Sequence, residues 1–224
     1  MGLTFPRVMP MGGVDSQSFE LARADYLSPV LDGRLGSVSA GFPLWRMSLT
    51  LANTTADETD EWRAWLDGQR GSQRLFLGRD LSRPYPKAHI AGFGGMTRAG
   101  GGTFDGSATS WSINDNRDVP AFTGLPAAFS LGLRDAIGFR WTTGGGARRA
   151  LVRVIESATA NISGVIPALT VEPALPGLVP ANAVAFFDNP DCLMRLVPGE
   201  TALGEIDTLH CGGGSVVALQ ELLE

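Results

Sequence analysis

Histidine and cysteine are the residue types best suited to metal binding and nucleophilic chemistry, and this 224-residue chain holds two of each. They are His89, His210, Cys192 and Cys211. A zinc site needs three or four ligands at suitable spacing, whereas here only His210 and Cys211 are neighbours in sequence. Neither a G-x-S-x-G elbow nor another local nucleophile signature is present. The sequence therefore predicts no catalytic residue, no metal site and no cofactor.

Paired carboxylates are a second chemistry to consider, because glycoside hydrolysis needs two of them facing each other across a cleft. Their separation is set by the fold, so one sequence does not identify the pair. Most acidic residues of a folded protein are solvated surface groups. A hydrolase with dispersed carboxylates therefore stays an alternative. Its candidates lie near predicted strands or loops: Asp80, Asp105, Asp115, Asp118, Glu156 and Glu172.

The glycine clusters "GFGGMT" and "TGGGAR" raise the question of phosphate binding. Neither has the G-x-x-x-x-G-K-[ST] spacing, and no strand–loop–helix pattern surrounds them. We interpret them as turn glycines. Arg148 and Arg149 follow the second cluster, and we expect them to be solvated at a hairpin tip rather than to hold an anion.

Tryptophan is the residue type most often used as a sugar-binding platform, and the chain has five. Trp45 alternates with apolar residues, and Trp62 and Trp65 share one helical stripe, so these three are predicted to be core. Trp111 lies in a loose, polar stretch and is the best surface candidate. Core or interface packing is favoured even there, and a carbohydrate-binding β module stays an alternative.

Trp45, Trp62 and Trp65 are positioned by a predicted strand that leads into a predicted helix. In the second half of residues 36–51, Trp45, Met47 and Leu49 point one way and the intervening polar residues the other. Period two is typical of a half-buried strand. We therefore predict that these three side chains belong to the core.

The helix is predicted over residues 56–70. Thr55 and Glu58 have the spacing of a capping box, and the acidic first turn suits the positive helix end. Trp62, Trp65, Leu66 and Gln69 follow the i, i+3, i+4, i+7 rule and form one predicted stripe, of which Trp62, Trp65 and Leu66 are the core candidates. Gly71 is the predicted terminator.

The remaining sequence has the short apolar runs and turn signals that are typical of β structure. Residues 91–125 are predicted to be a loop or a bulged hairpin, and short apolar runs recur with turn signals up to Pro198. The final "GSVVALQELLE" is predicted to be a strand that returns to the first module. The fold class is therefore mainly β: a small β barrel or sandwich with one packed α-helix, plus an inserted small β-barrel module. The predicted domains are 1–119 with 199–224, and 120–198.

Composition and charge exclude several function classes. The net charge is −5 and no extended basic cluster exists, which argues against groove binding to nucleic acid. No apolar run is long enough for a membrane span, and the N-terminal residues lack a signal-peptide pattern. We expect Cys192 and Cys211 to be reduced thiols in a protein made in the cytoplasm, with a disulfide as the alternative.

Three consecutive segments resemble a known family. "FPLWRMSLTL", "ADETDEWRAWLDGQRG" and "RLFLGRDLSRPYP" are similar to the strand–helix–strand unit of distal tail proteins of long-tailed, non-contractile bacteriophages and related gene-transfer particles. The resemblance continues through "GLPAAFSLGLRDAIGFRW", "RALVRVIES" and "GGSVVALQELL". In that family a small β barrel flanked by a helix forms a ring at the tail tip.

The resemblance implies a structural virion protein and not an enzyme. Its expected form is a homo-hexameric ring that joins the tail tube to the hub and other tail-tip proteins. DNA is expected to pass through the lumen without specific binding. The expected location is the virion tail tip, after synthesis in the host cytoplasm. A tail tube protein or another tail-tip component remains an alternative, since those proteins share related barrels.

Overall fold

The computed structural model describes residues 4–29, 35–108, 110–205 and 212–223. Within them the protein is mainly β, with a single α-helix and a curled half-barrel sheet. This confirms the predicted mainly β class. The chain divides into two compact units. Unit 1 is Met1–Phe76 with Met194–Glu221, and unit 2 is Leu77–Leu193 with Leu222–Glu224.

The regular elements are short, as the frequent glycine and proline in the sequence require. In chain order they are β1 (Arg7–Val8), β2 (Val14–Ala22), β3 (Asp25–Pro29), β4 (Leu35–Ser39), β5 (Leu44–Leu51), α1 (Ala56–Gln69), β6 (Phe76–Gly78), β7 (Ser107–Ala108), β8 (Ser110–Ile113), β9 (Pro120–Thr123), β10 (Ser130–Leu131), β11 (Ala136–Thr143), β12 (Gly146–Val154), β13 (Ala158–Thr159), β14 (Val171–Glu172), β15 (Val184–Phe186), β16 (Cys192–Leu196), β17 (Ala202–Leu203) and β18 (Gly214–Gln220). A 3₁₀ turn at Lys87–His89 lies between β6 and β7.

The largest sheet of the described residues has the strand order β1-β6-β16-β18-β5-β2, with β17 paired to β18. Strand β5 alternates as predicted, since Trp45, Met47 and Leu49 are buried while Arg46 is exposed. The C-terminal strand β18 lies antiparallel beside β5, with Val216 opposite Leu49. The end of the chain thus completes the sheet that its beginning starts.

Helix α1 begins where the sequence predicts. Thr55 Oγ1 accepts a hydrogen bond from the Glu58 N–H, and Glu58 Oε2 accepts one from the Thr55 N–H, which together form the capping box. The helix ends at Gln69, one residue before the predicted end. Arg70, and not Gly71, is the first left-handed residue, with φ 53°, and its N–H donates to the Asp67 carbonyl. Gly71 follows at φ 66°, so the predicted terminator is the second of two left-handed residues that end the helix.

Unit 2 is built on a sheet whose order, in the described residues, is β14-β12-β11-β15-β7. Strands β11 and β12 form its long central hairpin, with Trp141 opposite Arg148. The core is aromatic-rich: Phe93, Phe104, Phe122, Phe129, Phe139 and Phe187 all belong to it.

The boundaries of the units differ from the predicted domains. Residues 77–119 group with unit 2, and residues 194–198 group with unit 1. The reason is packing: Phe93 and Phe104, from the stretch that looked loose, insert into the core of unit 2. Strand β7 also pairs with β15, with Ala108 opposite Ala185. The sequence did not predict that Phe93 and Phe104 are core residues, because isolated aromatic residues in a glycine-rich stretch create no periodic signal.

Candidate functional site

The tryptophans of helix α1 are structural. Trp62 and Trp65 are 1% and 2% exposed, and each indole N–H donates to a backbone carbonyl, Trp62 to Gly12 at 2.8 Å and Trp65 to Val8 at 3.0 Å. The Trp65 ring packs edge-on against Phe76, with centroids 4.9 Å apart. Both the faces and the polar edges are therefore used inside the protein.

Leu66, predicted to be core with them, is only half-buried. It lines an open groove of about 520 Å³ in unit 1. Gln69, the fourth member of the predicted stripe, is buried together with Trp62 and Trp65. The groove is also lined by Asp67, Arg70, Gly71, Ser72, Gln73, Leu196, Val197, Pro198, Gly199 and Thr201.

Trp111, the predicted surface aromatic, lies against the core of unit 2. Its N–H donates to the Ala183 carbonyl at 2.7 Å, and its ring meets Phe139 edge-on at 4.9 Å. It is half-buried and packs against that core. The polar sequence around it reflects its strand, β8, whose alternate residues Ser110 and Ser112 are exposed.

The candidate carboxylates are used in separate local contacts. Asp80 forms a buried ion pair with Arg153 at 2.9 Å. The Ser107 hydroxyl donates to Asp105 and is the main cause of a lowered pKa of that carboxyl. The other candidates are not grouped with these two. Asp118 accepts a hydrogen bond from Asn114, and Glu156 accepts one from Thr170. Asp115 is exposed, and Glu172 lies on β14.

The prediction for Arg149 is wrong. Gly144 and Gly145 do form the turn between β11 and β12, with φ 55° and 76°. However, Arg149 is not solvated at the tip, because its guanidinium pairs with Asp191, whose side chain is 11% exposed. Arg140 shares the same carboxylate and lies over the Phe186 ring at 4.1 Å. Burial is the main cause of a lowered pKa of Arg140.

Of the histidine and cysteine candidates, the structure describes His89 and Cys192. His89 stacks on Phe129 at 4.7 Å, its Nε2 accepts the Ser130 N–H, and burial lowers its pKa. Cys192 is a buried free thiol whose pKa is raised by burial, which suppresses the reactive thiolate. His210 and Cys211 lie outside the described residues.

Neither a cluster of metal-binding side chains nor a membrane-spanning helix is present in the described parts of the chain. No group of three or more histidine, cysteine, aspartate or glutamate side chains is arranged there to hold a metal ion. No described helix has the length and apolar character needed to cross a bilayer.

The most unusual surface of unit 1 is the pair of strands β3 and β4, which we call the arm (Asp25–Pro29 and Leu35–Ser39). The arm continues the β2–β5 ladder, since the Ala40 N–H donates to the Ala24 carbonyl at 2.7 Å. Residues 25–28 and 35–39 are all exposed. The large apolar side chains are exposed by 66–70%, namely Tyr26, Leu27, Leu35 and Val38.

Both faces of the arm carry apolar groups. Tyr26 is opposite Val38 on one face, whereas Leu27 and Leu35 lie on the other. A two-stranded ribbon is marginally stable alone in water, and clustered exposed apolar side chains mark interaction surfaces. The short apolar pieces of residues 1–35 predict an N-terminal strand and a loop, whereas the structure pairs Asp25–Pro29 with Leu35–Ser39. The signal for the arm was present as Asp32-Gly33, a hairpin dipeptide, between two short apolar runs.

A scan of this chain against protein-family models and a search of the curated proteins found no match. The observations that bear on function are therefore the surfaces described above and the resemblance in the sequence.

Proposed function

We propose that the protein is a structural subunit of a bacteriophage-type tail, which assembles with copies of itself into a hexameric ring at the distal end of the tail. The ring joins the tail tube to the hub and other tail-tip proteins. Two things support this proposal. The strand–helix–strand segments resemble distal tail proteins, and unit 1, which contains those segments, carries the exposed apolar arm.

The arm is the observation that carries the proposal. Its side chains have no cover within the described chain, and water contact with four large apolar groups is unfavourable by about 25 cal/mol per Å² of apolar surface. Contact with a neighbouring subunit removes that cost. A patch on one side of a subunit that meets a different patch on the next gives a head-to-tail contact, which closes into a ring when the rotation permits.

The test measures assembly of the full chain and of an arm variant. In the variant, Tyr26, Leu27 and Val38 are replaced by serine, which keeps the strands but removes their apolar contact surface. We expect the wild-type protein to give a hexamer mass by mass photometry and a six-fold ring by negative-stain imaging. The arm variant is expected to be monomeric with an unchanged circular dichroism spectrum, because these side chains contribute little to the fold.

A matched control replaces Ile90, Leu133 and Ile162 by serine. These side chains are exposed by 77%, 61% and 88%, and all three lie in unit 2, outside the arm. The control removes a similar amount of exposed apolar surface and is expected to assemble like the wild type. A wild-type protein that stays monomeric at high micromolar concentration, and is absent from purified particles, would contradict the proposal.

A tail tube protein is the second candidate, because such proteins also form rings from related barrels. Antibody labelling of intact particles separates the two: a tip protein labels one end of the tail and a tube protein labels its length. Labelling along the whole tail would move the assignment to the tube while leaving the role of the arm unchanged.

A further inference from the structure

Unit 2 has a surface cleft of about 530 Å³, whereas the arm belongs to unit 1. We call it the Trp141 cleft. Its volume falls within the range of about 300–1,000 Å³ that ligand pockets have. It lies at the end of β11 and beside a loop before β15. Its lining consists of Trp141, Thr142, Thr143, Leu178, Pro180 and Asn182.

Trp141 differs from Trp62, Trp65 and Trp111 in its polar edge. The indole N–H groups of Trp62, Trp65 and Trp111 each donate to a carbonyl inside the protein. No described residue accepts a hydrogen bond from the N–H of Trp141. Tryptophan usually finds such a partner when buried, so this indole is available to a ligand in the cleft.

The Trp141 ring is nevertheless held in place. It is half-buried and packs against the aromatic core of unit 2. Its strand pairs with β12 over its whole length, from Ala136 opposite Arg153 to Thr143 opposite Gly146. A ring fixed before binding loses little conformational freedom when a ligand arrives. The cleft is therefore prepared for stacking and does not depend on a rearrangement.

The chemistry of the lining selects the ligand class. None of the six lining residues is charged, so the lining itself favours a neutral ligand over a phosphate or a carboxylate. Thr142, Thr143 and Asn182 are exposed and supply hydroxyl and amide groups that both donate and accept hydrogen bonds. An indole face beside such groups matches a sugar ring, which has an apolar C–H face and a rim of hydroxyls.

We propose that the Trp141 cleft binds a neutral saccharide, one ring of which stacks on Trp141 while its hydroxyls contact Thr143 and Asn182. This inference does not depend on the ring proposed above. It also differs from the prediction made from sequence, which placed a sugar platform at Trp111. That residue is occupied by Ala183 and Phe139.

The experiment titrates the full chain with neutral trisaccharides of glucose, galactose, mannose and N-acetylglucosamine, measured by calorimetry and by tryptophan fluorescence. At least one trisaccharide is expected to bind in the micromolar to millimolar range. Trp141→Ala is expected to weaken that binding by about tenfold or more, because aromatic anchors dominate binding energy. Tyr26→Ala removes a more exposed aromatic ring from the arm and is expected to leave binding unchanged.

Asn182→Ala keeps the proposal testable if Trp141→Ala fails to fold, because Asn182 is exposed and its loss leaves the core intact. Loss of one hydrogen-bonding group is expected to weaken binding by about three- to tenfold. The proposal is overturned if none of the trisaccharides binds at millimolar concentration, or if both variants bind as the wild type does. It is also overturned if a proline-rich peptide or an acidic sugar competes for the cleft more strongly than the neutral sugars.

Discussion

Helix α1 and the arm both belong to unit 1 and both carry large apolar side chains, but they use them in opposite ways. On the helix, Trp62 and Trp65 are buried and their N–H groups are bonded to backbone carbonyls. On the arm, Tyr26 and Leu27 are exposed by 70% and 66%. Hydrophobic content alone therefore does not identify a core. What distinguishes the two regions is whether the chain itself supplies cover.

The largest expected effect in this comparison is on folding stability. Trp65→Ala is expected to lower the free energy of unfolding by about 3–5 kcal/mol, because it leaves a cavity beside Phe76 and removes the bond to Val8. Leu27→Ala on the arm is expected to change it by less than about 0.5 kcal/mol. Urea denaturation followed by circular dichroism measures both. Equal losses in the two variants would mean that the arm is part of the fold, and the comparison would fail.

A smaller effect is expected at the start of the helix. Thr55→Ala removes the hydroxyl that accepts the Glu58 N–H, and the expected loss of stability is about 1 kcal/mol. Ser37→Ala, on the exposed strand β4, is the matched hydroxyl deletion on the arm and is expected to have no measurable effect. If Thr55→Ala were also silent in urea denaturation, the cap would not contribute to positioning Trp62 and Trp65.

The smallest effect concerns pH and extends the comparison to unit 2. His89 is an aromatic ring whose polar edge is used internally, as in Trp62: its Nε2 accepts the Ser130 N–H and its face stacks on Phe129. Burial lowers its pKa in the folded protein, against a smaller raising influence of Asp135. The neutral ring is thus favoured in the folded state.

The lowered pKa of His89 makes folding stability fall as the pH falls. Above the ordinary histidine pKa of about 6.5 the ring is neutral in both the folded and the unfolded protein. As the pH falls below that value the unfolded protein takes up the proton first, so stability falls. We expect the melting temperature to drop more for the wild type than for His89→Gln between about pH 7.5 and 5.5. His210 is present in both proteins and cancels; an identical drop in the two would contradict the lowered pKa.

The local elements were readable from sequence because their causes are local. The alternation of Trp45, Met47 and Leu49 predicts the strand, and the spacing of Thr55 and Glu58 predicts the helix start to the residue. These signals need only the period of the backbone and the free N–H groups of one helix end. The mainly β class followed from the same local patterns.

The domain boundaries and the candidate sites were not readable in this way. Phe93 and Phe104 stand alone in glycine-rich sequence, and only the folded chain brings them into the core of unit 2. Arg149 pairs with Asp191, a residue distant in sequence that no spacing rule connects to it. Trp111 was chosen as the surface candidate from the polarity of its neighbours in sequence, which does not show which residues pack against its ring in the fold.

The sequence by itself determined the class of fold, the strand and capped helix of unit 1, and the absence of any concentrated catalytic motif. Tertiary structure alone decided which apolar groups are covered: Trp111 meets Ala183, whereas Trp141 lines an open cleft and the arm has no cover in the described chain. The physical reason is that secondary structure depends on neighbours along the chain. Burial depends on side chains contributed by distant segments, and a single sequence does not pair those segments.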